Sequence, residues 1–255
     1  MNKFNLLADK KVYGRWKELN AEYFSDPKTI EALYELFANS KTALPKDCGV
    51  VEFGSAEGMV GEYFKDMLSV NHRVSLTIVD AIAEHVHANE NPETEKIVAD
   101  LLNYSEKERF DLAIARSLLH YFSIEEQKTV LKNIFNSLKS GGYFLVQAFI
   151  QKDEDLDLFL KLNRFVGKEL QLVPITKLIN QLEEVGFKVV PLGDAPTWRC
   201  SSENLQNRYD LSNDELITMR NMIIQTANKS RRGFDVTDSG FTVPIPFQVL
   251  MAKKP

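Results

Sequence analysis

Apolar residues along the chain recur first at helical spacing and then as short unbroken runs that alternate with helical stripes. Tyr13, Trp16, Leu19, Tyr23 and Phe24 place aromatics along one face of an N-terminal helix. Ser25-Asp26-Pro27 supplies a cap and a proline for the first turn of a second helix, whose stripe is Ile30, Leu33, Tyr34 and Phe37. From Gly49 the pattern changes. Runs at 49–53, 73–79, 97–99, 110–115 and 143–150 read as strands. The intervening stripes include Val60, Tyr63, Phe64, Met67 and Leu68, and later Val130, Leu131, Ile134, Phe135 and Leu138 behind a capping box at Ser123 to Glu126. Lys139 with Gly141-Gly142 closes the later helix. The run Leu112 to Ala115 lacks alternation, as expected of a strand covered on both faces. This order predicts an α/β, doubly wound, mostly parallel sheet.

Beyond residue 150 the pattern loosens. An acidic amphipathic stretch lies within 151–173, and a firmer helix follows at 174–186. A sixth strand is predicted at 187–192, then an insertion over about 193–240 that contains Trp198, Arg208 and a capped helix from Ser212. The last strand, 243–252, carries Pro244 and Pro246 and therefore suits a place beside an edge more than a central one. The expected division is a helical cap at 1–45 and one domain at 46–255, with lid segments at 151–173 and 193–240.

The sharpest local signal is the turn that follows the first strand, Glu52-Phe53-Gly54-Ser55-Ala56-Glu57-Gly58. Glycines there let the chain reverse and let a ligand approach the backbone, and the next helix begins with unpaired N–H groups. The dinucleotide fingerprint needs glycines at 54, 56 and 59, where the chain has Gly54, Ala56 and Met59. The pattern acid-x-G-x-G-x-G is met everywhere except Ala56. Asp80 ends the second strand 26 positions after Gly54, where a carboxylate can accept two ribose hydroxyls, and Asp100 with Leu101 ends the third. Arg116 to Phe122, including His120 and Tyr121, leaves the fourth strand at the same edge.

These features together resemble motif I and the strand ends of the class I S-adenosylmethionine-dependent methyltransferases over residues 48–150. The resemblance implies a Rossmann-like sheet of seven strands with an antiparallel last strand inserted beside the fifth. It implies S-adenosyl-L-methionine as cofactor, held by Glu52, Gly54, Ser55, Ala56, Gly58, Asp80, Ala81, Asp100, Leu101 and Arg116. Glu52 would suit the ammonium group of the methionine moiety, and the Ala56 methyl group narrows the approach. His120 is the candidate general base or orienting partner, because a neutral imidazole with a pKa near ~6.5 suits that task. The other histidines, at 72, 85 and 87, also precede the lid segments. Tyr13, Trp16, Tyr121 and Trp198 are expected at the substrate.

Charge and composition narrow the acceptor. With 31 basic and 36 acidic residues among 255, the formal charge of −5 argues against nonspecific nucleic-acid binding and favours a small-molecule substrate. Two cysteines without a C-x-x-C pair, no membrane-length apolar run and no signal peptide lead to the expectation of a cytoplasmic protein with no membrane partner, its oligomeric state left open with a homodimer as one option. His85 and His87 lie two apart and face different sides of a helix, so no metal site is expected. The functional expectation is methyl transfer to an oxygen or nitrogen of a small molecule. Alternatives are a methyltransferase acting on protein or RNA, and a noncatalytic binding or regulatory protein that retains the fold.

Overall fold

The computed structural model describes residues 23–104, 106–149, 153–226 and 233–255. Of the first aromatic helix expected from the sequence, Tyr13, Trp16 and Leu19 lie outside them, whereas Tyr23 and Phe24 form a turn before the next helix. Asp26 caps α1 (Pro27–Asn39) by accepting from the Lys28 N–H, and Pro27 stands in the first turn. The helix buries Ile30, Leu33 and Phe37 in the core.

The sheet begins with β1 (Asp47–Phe53), α2 (Met59–Ser69), β2 (Arg73–Asp80), α3 (Ala83–His87), β3 (Glu95–Val98) and β4 (Phe110–Arg116). A 3-10 turn at Leu119–Tyr121, α4 (Ile124–Ser137) and β5 (Leu138–Phe149) follow. The second half contains α5 (Asp153–Phe165), α6 (Ile175–Val185), β6 (Lys188–Ser201), α7 (Ser202–Tyr209), α8 (Asn213–Thr226), β7 (Asp235–Val236) and β8 (Phe241–Lys253). The strand order is β3-β2-β1-β4-β5-β8-β6, with the two-residue β7 added on β8. Strands β1 to β5 pair in parallel, and β8 runs antiparallel between β5 and β6.

Period-2 alternation divides the core between the two faces of the sheet. Val50, Ile78, Leu112 and Ile114 join α1, α2 and α5 in one apolar cluster. Val51, Val79, Ala113 and Ala115 join α4 and α6 in the other. All seven residues of β4 are buried, as its unbroken apolar run predicts.

Two sequence expectations need correction. β5 begins at Leu138, not Tyr143, because Gly141 and Gly142 pair their backbone with Lys254 instead of forming a helix-ending turn. β6 does not stop at Leu192 but continues to Ser201, so the predicted insertion from 193 begins as strand. Gly193, at φ 137°, and the stretch from Ala195 to Trp198 read as breaks in the sequence, and the sheet absorbs both as register shifts. β8 lies between β5 and the edge strand β6, beside an edge as its prolines suggest. Its pairing with β5 ends at Phe247, and Pro244 pairs only towards β6, where its missing N–H costs no ladder bond to β5.

Candidate active site

The carboxyl ends of β1, β2 and β4 open into a cavity of about 260 Å³. It lies where a doubly wound sheet holds its ligands, outside the strand ends. The first wall is the turn after β1. Gly54, Ala56 and Gly58 all adopt positive φ, at 65°, 48° and 80°. The backbone thus takes the left-handed form at each of the three motif positions, including the one where the sequence has alanine. A side chain on Gly54 would come within 2.5 Å of Leu118. Gly58 shapes the turn from behind and is not part of the cavity wall, whereas Ser55 and Ala56 are.

Glu52 is turned inward. It is 3% exposed, and one carboxylate oxygen accepts the Gly61 N–H at 2.7 Å. Gly61 is needed there, since an added Cβ would approach that oxygen to 2.9 Å. Burial raises the Glu52 pKa to about 8, only partly offset by the Gly61 N–H and by the Arg116 charge, so the group is a neutral acid at pH 7.

Asp80, at the end of β2, couples the two loops of the site. Its Oδ2 accepts the Ala56 N–H at 2.9 Å and its Oδ1 accepts the Ile82 N–H at 3.0 Å. The His85 ring packs beside it, with Nδ1 3.8 Å from Oδ1. Ala81 and Ile82 continue the wall, and Asp100 with Leu101 form its far side, where Asp100 accepts the Leu102 N–H at 3.0 Å.

Arg116, expected beside the cofactor, is directed elsewhere. Its guanidinium donates to the Phe24 and Tyr23 carbonyls and to Thr29 Oγ1, and it lies 5.1 and 5.4 Å from the Tyr23 and Phe24 ring centres. This nearly buried cation fastens the segment before α1 to the end of β4, while its stem still lines the cavity. Ser117, the next residue, has φ 54°, and its buried hydroxyl has no hydrogen-bond partner among the described residues. A left-handed serine with an unused hydroxyl on a cavity wall is strained in the way functional positions often are.

His120 stands on the short turn after β4 with its ring against Tyr121 and Phe149. Burial and the nearby Lys168 charge hold its pKa down to about 3. An imidazole so placed is neutral near pH 7 and a weak base, which corrects the expectation of an ordinary value near ~6.5. Beyond His120 the cavity widens into a chamber walled by Phe24, Phe159, Trp198, Tyr209 and Phe247. The half of β6 that extends past the end of β5 brings Trp198 there, and Phe247 of β8 stands opposite Phe149 at the last pair with β5. Lys168 and Arg208 also line the chamber, and sequence reasoning missed both as site residues. Nothing in the pattern of the connection after α5 or of α7 distinguishes a buried cation from a solvated one. The expected substrate residues Tyr121 and Trp198 are in this wall, whereas Tyr13 and Trp16 lie outside the described residues. Among the described residues no group of three or more His, Cys, Asp or Glu could hold a metal ion.

A family model described as a methyltransferase domain matches residues 20–192. Among curated proteins none matches the chain. Solved structures share the fold at low identity. The Bacillus halodurans protein BH2331 is 16% identical, with a TM-score of 0.70 over 88% of this chain and 98% of its own. The YcgJ protein of Bacillus subtilis is 12% identical, with a TM-score of 0.72 over the same shares. The N-methyltransferase NodS of Bradyrhizobium japonicum, solved with S-adenosyl-L-homocysteine, is 14% identical, with a TM-score of 0.57 over the whole of both chains.

Proposed function

The chain belongs to the methyltransferase-domain family and is an S-adenosylmethionine-dependent class I methyltransferase, and on that premise we propose that its acceptor is an oxygen or nitrogen atom of a small molecule. The donor set at the strand ends fits the cofactor. Asp80 and Asp100 offer acceptors to hydroxyl and amino groups, while the acids here would repel the pyrophosphate of a dinucleotide. S-adenosylmethionine supplies a methyl group on a sulfonium centre, already reactive enough to need no activation of the donor. Asp80 and Asp100 orient the ribose and adenine. The Ser55-Ala56 backbone and Leu101 close around them, and the aromatic chamber excludes water that would compete with the acceptor. Positioning of this kind can supply a large part of the rate.

The observation that carries the small-molecule reading is the aromatic-walled chamber continuous with the strand-end site. A protein or RNA acceptor needs a broad exposed surface, yet the two chamber cations, Lys168 and Arg208, are 5% and 6% exposed. A filled acceptor side would favour the noncatalytic alternative, and here that side is open. His120 contributes as a neutral hydrogen-bond partner that orients the acceptor. The deciding experiment incubates the protein with methyl-labelled cofactor and a panel of small acids, amines and phenols, read by mass. A labelled product supports the reading. Transfer only to protein or RNA added as acceptor overturns it.

A further inference from the structure

Gly54, Ala56 and Gly58 give the turn after β1 three left-handed residues, and α2 begins behind it with no capping side chain of its own. Such a backbone persists only where its surroundings over-determine it. On the cavity side Asp80 does part of this by accepting the Ala56 N–H. A second tie reaches the same turn from the side away from the cavity. Asn89, between α3 and β3, is buried, and its Nδ2 donates to the Glu57 carbonyl at 2.9 Å and to Glu62 Oε1 on α2 at 3.0 Å. Its Oδ1 accepts the Asn91 N–H at 3.0 Å, so both polar atoms of the side chain are used. Glu62 fixes the amide in turn. Its carboxylate also accepts from Asn91 Nδ2 at 2.8 Å and from Thr94 Oγ1 at 2.6 Å. Partial burial works against the charged form of Glu62, but these hydrogen bonds and the Lys65 charge hold its pKa below the ordinary value.

The Glu57 carbonyl and the ionised Glu62 carboxylate can only accept, so the Asn89 amide has one allowed orientation, with Nδ2 towards both. We propose that Asn89 is a positioning residue for the cofactor, which locks the Glu57-Gly58 backbone to the segment after β2 in the shape that receives S-adenosylmethionine. The inference rests on the reading of the strand ends as the cofactor site. Neither Asn89 nor Glu62 belongs to the cavity wall, so an effect on the cofactor has to pass through the turn. Gly58 leaves room for the tie, since a Cβ there would stand 3.1 Å from Asn89 Nδ2. Asp80 already joins Ala56 to Ile82, and Asn89 makes a second bridge between the same two loops. A turn tied on both sides is set before the cofactor arrives, and apparent affinity rises with the fraction of chains that hold the binding shape.

The test titrates the full chain with S-adenosylhomocysteine by calorimetry, and follows hydrogen exchange of the unliganded protein by mass as a second reading. Asn89→Asp is near-isosteric but sets a carboxylate against two groups that only accept. It is expected to weaken S-adenosylhomocysteine binding at least about fivefold, as the loss of two buried hydrogen bonds implies. It should also speed exchange in the peptide covering 54–61, while peptides from β4 and β5 keep the wild-type rate. If Asn89→Asp does not fold, Asn89→Ala decides by the same two readings. A loss of less than about fivefold overturns the proposal. So does a larger loss without selective acceleration at 54–61, because exchange that quickens throughout the sheet marks a merely structural asparagine. Failure of the wild type itself to bind S-adenosylhomocysteine would count against the cofactor assignment and overturn the inference with it, so the two failures are distinguishable.

Discussion

At the scale of single residues, Glu52 is the most informative group, because its carboxyl is buried and neutral at pH 7 yet stands on the wall of the cavity proposed to hold the cationic cofactor. A bound ammonium group favours the charged form and pulls the pKa down. Binding at pH 7 should therefore release close to one proton, visible as a dependence of the calorimetric enthalpy on buffer ionisation. Glu52→Gln should abolish that dependence, and an unchanged dependence would remove Glu52 from the binding event. For stability the sign is opposite to that of an ion-paired acid. The raised pKa of Glu52 stabilises the fold fully below ~4.5, and this contribution is lost as pH rises towards about 8. His120 behaves in reverse. Its lowered pKa stabilises the fold above ~6.5 and the contribution fades as pH falls towards about 3, so His120→Asn should lose less stability than the wild type between pH 7 and pH 5. Equal losses in denaturant titrations would show that the ring titrates normally. Ala56 holds a left-handed backbone that glycine adopts without strain. Ala56→Gly should change cofactor affinity by no more than about tenfold and alter stability by no more than about 1 kcal/mol. The sequence disclosed the acid and glycines of this turn, but not that Glu52 faces inward or that Ser117 shares the strained conformation. Both depend on packing that no local spacing encodes.

Among the elements, the parallel core was legible because its strands are unbroken apolar runs ending in acids, and each strand from β1 to β4 falls within a few residues of the prediction. The extended half of β6 was not, since Gly193 and the Pro196 region mimic loop chemistry that the sheet accommodates as irregular pairing. That extension matters to the site, because it brings Trp198 and Cys200 to the chamber wall. The segment before α1 depends on a different device, the Arg116 guanidinium that ties Tyr23, Phe24 and Thr29 to the end of β4. Tyr23 adds its own bonds, donating to the Pro196 carbonyl at 2.6 Å and accepting from Gln147 at 3.0 Å. Removing the cation takes the Arg116 donor from the Phe24 carbonyl and from Thr29 Oγ1, while the Tyr23 carbonyl keeps the Thr29 hydroxyl as donor. Arg116→Met should cost about 2 to 4 kcal/mol in denaturant unfolding, and a loss under about 0.5 kcal/mol would show that the clamp does not hold the segment.

For the whole molecule, the sheet places two chemically different surfaces around one cavity. Acid-tipped strands β1 to β3 form one side, and the second half of the chain forms an aromatic roof. The donor side was readable because its residues must sit at successive strand ends, which fixes their spacing. The roof was readable only as aromatic and loosely patterned, since its residues come from α5, β6, α7 and β8 and meet only through tertiary packing. The two sides can be tested separately, and the donor side comes first because acceptor chemistry depends on it. Calorimetric titration with S-adenosylhomocysteine should give one site per chain in the wild type. Asp80→Ala, which removes a carboxylate expected to accept both ribose hydroxyls, should weaken binding by roughly ten- to a hundredfold. Unchanged affinity in the variant, or tighter binding of a nicotinamide dinucleotide by the wild type, would contradict the assignment of this sheet end as the cofactor site.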